Sequence, residues 1–134
     1  MSIWTHVAGV VRIDDIRLLS NGSPKFDKIF GKEWSFDDMW ENMPVYGEFE
    51  KHPEDFMPYG SEGSLQKSIW VNLQKEDMAA YTVSIFGDLR DYDTPQKIID
   101  WFVDCCNKCM VRQAVITVET EGYEPLNYFY KEGI

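Results

Sequence analysis

The chain opens on a regular alternation: Ile3, Thr5, Val7, Gly9, Val11 and Ile13 interleave with Trp4, His6, Ala8, Val10 and Arg12. A period of two, rich in β-branched residues, predicts a strand. The odd-numbered set reads as its core face, and Gly9 marks a bulge or a close backbone approach. The alternation recurs at Leu65–Asn72, where Leu65, Ile69 and Val71 oppose Gln66, Ser68 and Trp70. It recurs again at Ala79–Leu89, where Tyr81, Val83, Ile85 and Leu89 oppose Thr82, Ser84, Phe86 and Asp88. The short polar run Leu73–Asp77 between these two segments predicts an antiparallel hairpin. A fourth strand is expected at Val111–Thr120, with Ala114, Ile116 and Val118 alternating against Val115, Thr117 and Glu119. Leu126–Tyr130 reads either as a short edge strand or as an aromatic tail.

The period changes to that of a helix after Thr94-Pro95, a cap followed by a first-turn proline. Ile98, Trp101, Phe102, Cys105 and Cys109 form the apolar stripe, widened by Ile99, Val103 and Cys106. Two shorter helices are expected in the first crossover. One starts at Ser23-Pro24, carries Phe26, Ile29 and Phe30, and ends at Gly31. The other starts at Ser35, carries Phe36, Met39, Trp40 and Met43, and ends at Pro44. The stretch Val45–Glu62 reads as a long ordered loop. The order is therefore β, α-rich segment, β, β, α, β. It predicts an α+β, ferredoxin-like βαββαβ fold: a four-stranded antiparallel sheet with helices on one face and an elaborated first crossover. With 134 residues, no repeat and no linker, the chain reads as a single domain, 1–134, carrying an acidic helical and loop insertion at 14–62.

Helices on one side leave the other side of the sheet open. Trp4, His6, Trp70 and Phe86 are expected on that face. Exposed indoles need a partner: the middle segment folding back, a homodimer, or a ligand stacked on the rings. In the last case Trp4, Trp70 or Phe86 stacks the base of a nucleotide-like small molecule. Arg90, just before the helix start at Thr94, then offers an anion site for phosphate; the competing reading pairs Arg90 with a neighbouring aspartate.

Charge changes the picture next. The chain carries 23 acidic and 13 basic residues, net −10, and residues 14–62 hold twelve of the acids against five bases. This balance opposes direct nucleic-acid binding, which needs clustered Lys and Arg. It suits a protein partner with a basic surface, met by an acidic surface that includes Asp37, Asp38, Glu41, Glu48, Glu50, Glu54 and Asp55; solubility alone is the plainer explanation.

Specific catalytic chemistry is hard to find. Cys105, Cys106 and Cys109 offer one CxxC spacing and no second ligand pair, so they read as packing cysteines and not as a zinc site. His6 and His52 lack a nucleophile signature around them. The aspartate groups Asp14-Asp15, Asp37-Asp38 and Asp88–Asp93 fit capping and turn roles better than a metal. No cofactor and no metal are expected, and the reading leans away from an enzyme. The clustered odd cysteines, the lack of a signal-like N-terminus and the absence of an apolar run near ~20 residues lead to the expectation of a cytoplasmic protein outside the membrane.

Three segments, Ile3-Trp4-Thr5-His6-Val7, Gly60-Ser61-Glu62-Gly63-Ser64-Leu65 and Phe86-Gly87-Asp88-Leu89-Arg90-Asp91, resemble small uncharacterised accessory proteins of phages and prophages of Gram-positive bacteria. The resemblance implies an accessory protein at work in the host cytoplasm, inhibiting a host defence component by binding. It assigns no functional residue. The alternatives are a nucleotide-like binder or sequesterer using the open sheet face, and an enzyme with an unrecognised carboxylate or histidine site.

Overall fold

Strand β1, Trp4–Ile16, lies at the centre of the sheet. On one side it pairs with β3, Met78–Arg90, from Trp4↔Arg90 to Ile16↔Met78. On the other it pairs with β4, Val111–Thr120, from Thr5↔Thr120 to Ile13↔Val111. Strand β2, Gln66–Lys75, borders β3, and β5, Leu126–Lys131, borders β4. All pairings are antiparallel and the order is β2-β3-β1-β4-β5. This computed structural model describes residues 2–16, 26–34, 56–75 and 78–131.

The alternating residues sort as their periodicity requires. Val7, Val11, Ile13, Val83, Ile85, Leu89, Ile116 and Val118 are buried on one face. Helix α2, Pro95–Cys106, lays Ile98, Ile99, Phe102, Cys105 and Cys106 onto them. Helix α1, Phe26–Phe30, adds Phe30 to the same core and touches α2. Burying side chains of this size stabilises by about 1.5–3 kcal/mol each, well above the 0–1 kcal/mol of an exposed ion pair. The core, not surface charge, therefore holds the fold. Gly9 is a close approach and not a bulge: a Cβ there would press on the Val115 carbonyl oxygen at 2.9 Å, while the ladder irregularity falls between Arg12 and Ile13.

The expected four-stranded ferredoxin-like fold is not what forms. The sheet has five strands and the chain is mostly β; beside them the described residues hold one twelve-residue helix and one of five residues. Two physical reasons account for the difference. Leu126, Tyr128 and Tyr130 pack toward the core while Asn127 and Phe129 point outward, so the six-residue C-terminal run completes a strand on the free edge of β4. In the first crossover, the helix expected after Pro24 amounts to little more than one turn within the described residues. The second helix expected from Ser35 lies outside them.

Three polar devices fix the periphery. The Lys67 side chain, on the helix-facing side of β2, is only 5% exposed; its ammonium donates to the Gly31 carbonyl at 2.8 Å and pairs with Asp27 at 2.7 Å. Glu33 lies at 3.4 Å. This cation ties the α1 segment to the edge strand. At the other end of the sheet, buried Thr5 and Thr120 hydroxyls meet at 2.7 Å, and the Thr5 hydroxyl donates to the Tyr92 carbonyl at 2.5 Å. Finally, the 60–63 turn docks on the end of β3: Ser61 N–H donates to the Arg90 carbonyl, and Arg90 N–H to the Glu62 carbonyl. Gly63 sits there at φ +80°, where a Cβ would run into the Asp88 carbonyl oxygen. That backbone conformation and that contact both favour a residue without Cβ.

Candidate functional site: the open face of the sheet

The face turned away from α2 is built by the even-numbered side chains of β1 and by the residues that pair with them. Across the sheet, one row reads Ser68, Ser84, Val10, Val115, Phe129, and the next reads Gln66, Phe86, Ala8, Thr117, Asn127. A third row starts Trp70, Thr82, Arg12, Gln113. Trp70 is 67% exposed, Phe129 55% and Phe86 44%. Val10 and Val115 are exposed beside them. Some polar members pair with one another: Asn72 donates to Thr82, and Thr117 donates to Asn127 at 2.8 Å. The large exposed side chains beside them are apolar.

Five strands spaced ~4.8 Å apart and three rows spanning four residues at ~3.3 Å give a patch of roughly 19 Å by 13 Å, on the order of 250 Å². At one end it is bordered by charge. His6 stands between its two register partners, Asp88 on β3 and Glu119 on β4. Its Nδ1 lies 2.6 Å from Asp88 Oδ1. The hydrogen bond to Asp88 is the largest influence raising the His6 pKa above 6.5; Glu121 and Glu119 push the same way, against partial desolvation.

Trp4, His6, Trp70 and Phe86 all belong to this face or its border, but they do not form one clamp. Trp70 pairs with Thr82, four residues along β3 from Phe86, and Trp4 pairs with Arg90, four residues beyond Phe86. Each interval is about 13 Å at strand rise, too far for two of these rings to sandwich one base. The residues missed in the sequence are Phe129, Val115 and Val10, which join Phe86 into a continuous apolar strip. The signal for Phe129 was the alternation of Leu126, Tyr128 and Tyr130 with Asn127 and Phe129, obscured by the brevity of the run.

The proposed anion site is occupied by the protein itself. Arg90 Nη1 pairs with Glu62 at 2.7 Å, and its Nε donates to Ser2 Oγ at 2.9 Å, with Asp91 3.9 Å away. Thr94 precedes α2 without a side-chain capping bond. Cys105 and Cys106 are buried beneath α2 and Cys109 is partly buried; all three thiols are free. Burial pushes their pKa values up to about 12, 12 and 11, which suits packing and opposes thiolate chemistry. Among the described residues no group of three or more His, Cys, Asp or Glu side chains is arranged to hold a metal ion. Asp14 pairs with Arg112 at 3.4 Å, and Asp91 accepts from the Ser61 hydroxyl at 2.8 Å. Asp37, Asp38, Glu41, Glu48, Glu50, Glu54, Asp55 and His52 lie outside the described residues. No helix among the described residues is long and apolar enough to cross a membrane. No protein-family model, curated protein or solved structure matches the chain.

Proposed function

We propose that this chain is a non-enzymatic binding protein that docks a protein partner on the open face of its sheet. The observation that carries this reading is the exposed strip Phe86, Val10, Val115 and Phe129, with Trp70 on the adjoining row. A patch of about 250 Å² is far below the ~800 Å² per partner of a standard interface. The partner must therefore cover the rim as well, and the rim includes Asp88, Glu119 and Glu121. Together with the net charge of −10, this favours a basic-rimmed partner over a second copy of the chain, whose like charges would repel. Taken with the resemblance to phage accessory proteins, the partner class is a host defence component, inhibited by occupation of its surface.

The test is capture from Gram-positive host lysate with the parent protein and with a Trp70→Ser/Phe129→Ser variant. Both positions are exposed, so the variant keeps its unfolding midpoint. The expected result is a defined partner, retained by the parent, lost by the variant and released by salt. Retention of the same partner by the folded variant would overturn the assignment of this face.

A further inference from the structure

A second surface, on the opposite side of the molecule, carries a different kind of site. Between α1, the 56–59 segment and α2 lies a cleft of about 490 Å³, within the ~300–1,000 Å³ range of small-molecule sites. Its α2 wall is Lys97, Trp101 and Asp104, and Lys108 adds to it from the turn just after the helix. The three helical positions fall at i, i+4 and i+7, so they share one helix face over roughly 10 Å. Lys28 of α1 faces it, and Phe56 and Tyr59 form part of the aromatic wall.

The charge here runs against the chain as a whole. Three lysines and one aspartate line the cleft among the described residues, in a protein of net charge −10. Three other basic side chains are engaged: Lys67 with Asp27, Arg90 with Glu62 and Arg112 with Asp14. Lys28, Lys97 and Lys108 have no carboxylate at ion-pair distance among the described residues. Three exposed ammonium groups without a carboxylate partner are thus gathered around one aromatic-walled cleft, and this local excess of positive charge favours an anion there.

We propose that this cleft binds a nucleoside phosphate. Lysine ammoniums serve as point-charge partners for phosphate oxygens. The Trp101 ring, between Lys97 and Lys108 along the chain, offers a stacking surface for a base. Asp104, one helical turn from Trp101, accepts from an exocyclic amine or a ribose hydroxyl. Three cations beside one aromatic ring suit a di- or triphosphate of a nucleoside better than a free base or inorganic phosphate. This site is independent of the open sheet face.

The test is a titration of the full chain with the mono-, di- and triphosphates of adenosine, guanosine, cytidine and uridine, read by thermal shift and by tryptophan fluorescence. Adenosine and inorganic phosphate are run separately. At least one nucleoside di- or triphosphate is expected to raise the unfolding midpoint and quench fluorescence, with the quenching absent in Trp101→Phe. Lys97→Gln/Lys108→Gln should weaken it at least tenfold while leaving the ligand-free unfolding midpoint unchanged. No binding of any nucleotide at millimolar concentration would overturn the proposal. So would binding indifferent to the Lys97→Gln/Lys108→Gln change, or inorganic phosphate binding as tightly as the nucleotides.

Discussion

Lys67 allows a sharp test of how the edge of this sheet is held. Its ammonium is buried, but its acidic partners are not: Asp27 is 60% and Glu33 41% exposed. On replacement by methionine, which keeps the length of the side chain, both carboxylates rehydrate at little cost. The Gly31 carbonyl is different. Gly31 is buried, and loss of the 2.8 Å bond leaves a buried acceptor unpaired, at about 1–3 kcal/mol. Lys67→Ala removes three methylenes of packing as well, adding about 2 kcal/mol at ~0.8 kcal/mol each. Asp27→Asn keeps an oxygen acceptor beside the ammonium and leaves Glu33 at 3.4 Å to balance its charge, so it should cost only about 1 kcal/mol. The expected order of urea midpoints is therefore parent, Asp27→Asn, Lys67→Met, Lys67→Ala. With a urea slope of about 2 kcal/mol/M, Lys67→Met shifts the midpoint by roughly 1 M. A Lys67→Met midpoint equal to the parent's, or an Asp27→Asn loss as large as that of Lys67→Met, would refute the carbonyl as the dominant partner.

Other outcomes follow from the same geometry. The raised His6 pKa means that the folded state favours the protonated ring. The stability this adds is fully present below 6.5 and fades as pH rises through the raised value; NMR titration of the His6 ring should show the higher pKa, returning toward 6.5 in Asp88→Asn. Gly63→Ala forces a Cβ toward the Asp88 carbonyl at φ +80°, and chemical denaturation should show a loss of about 3 kcal/mol. Phe102→Ala empties the centre of the core, where the ring is fully buried, and should cost about 3–5 kcal/mol in the same assay. Ellman's reagent at neutral pH should leave Cys105 and Cys106 unreacted until urea unfolds the chain, with Cys109 the first to label.

The strands were legible where alternation ran long enough to exclude other readings. β1, β3 and β4 carry ten or more residues each, and their two faces separate cleanly in the sequence. β5 has only six, too few for its period to stand apart from an aromatic tail, and with it went both the strand count and Phe129. Lys67 was legible as a charged residue among Leu65, Ile69 and Val71, but nothing local names Asp27 and Gly31 as its partners across the first crossover. The cleft was invisible for a related reason. Lys97, Trp101 and Asp104 announce a helix face, but the opposing wall comes from Lys28 and the 56–59 segment, which sequence spacing does not bring together. Arg90 shows the same limit from the other side: pairing with a neighbouring aspartate was legible, but its closer partners, Glu62 and Ser2, come from distant positions.

The central place of β1 also governs the order in which the molecule can be assembled. His6 meets Asp88 82 positions later and Thr5 meets Thr120 115 positions later. Every neighbour of the middle strand is distant in sequence, and α2 is made between the arrival of the first and the second. A nascent chain therefore carries an alternating, aromatic-bearing strand with both edges unsatisfied while about sixty residues follow it before β3 begins, about 3–12 s at 5–20 residues per second. Such topology folds in milliseconds to seconds. For that interval, synthesis rate and chaperone occupancy set the yield of folded protein as much as the stability of the finished sheet does.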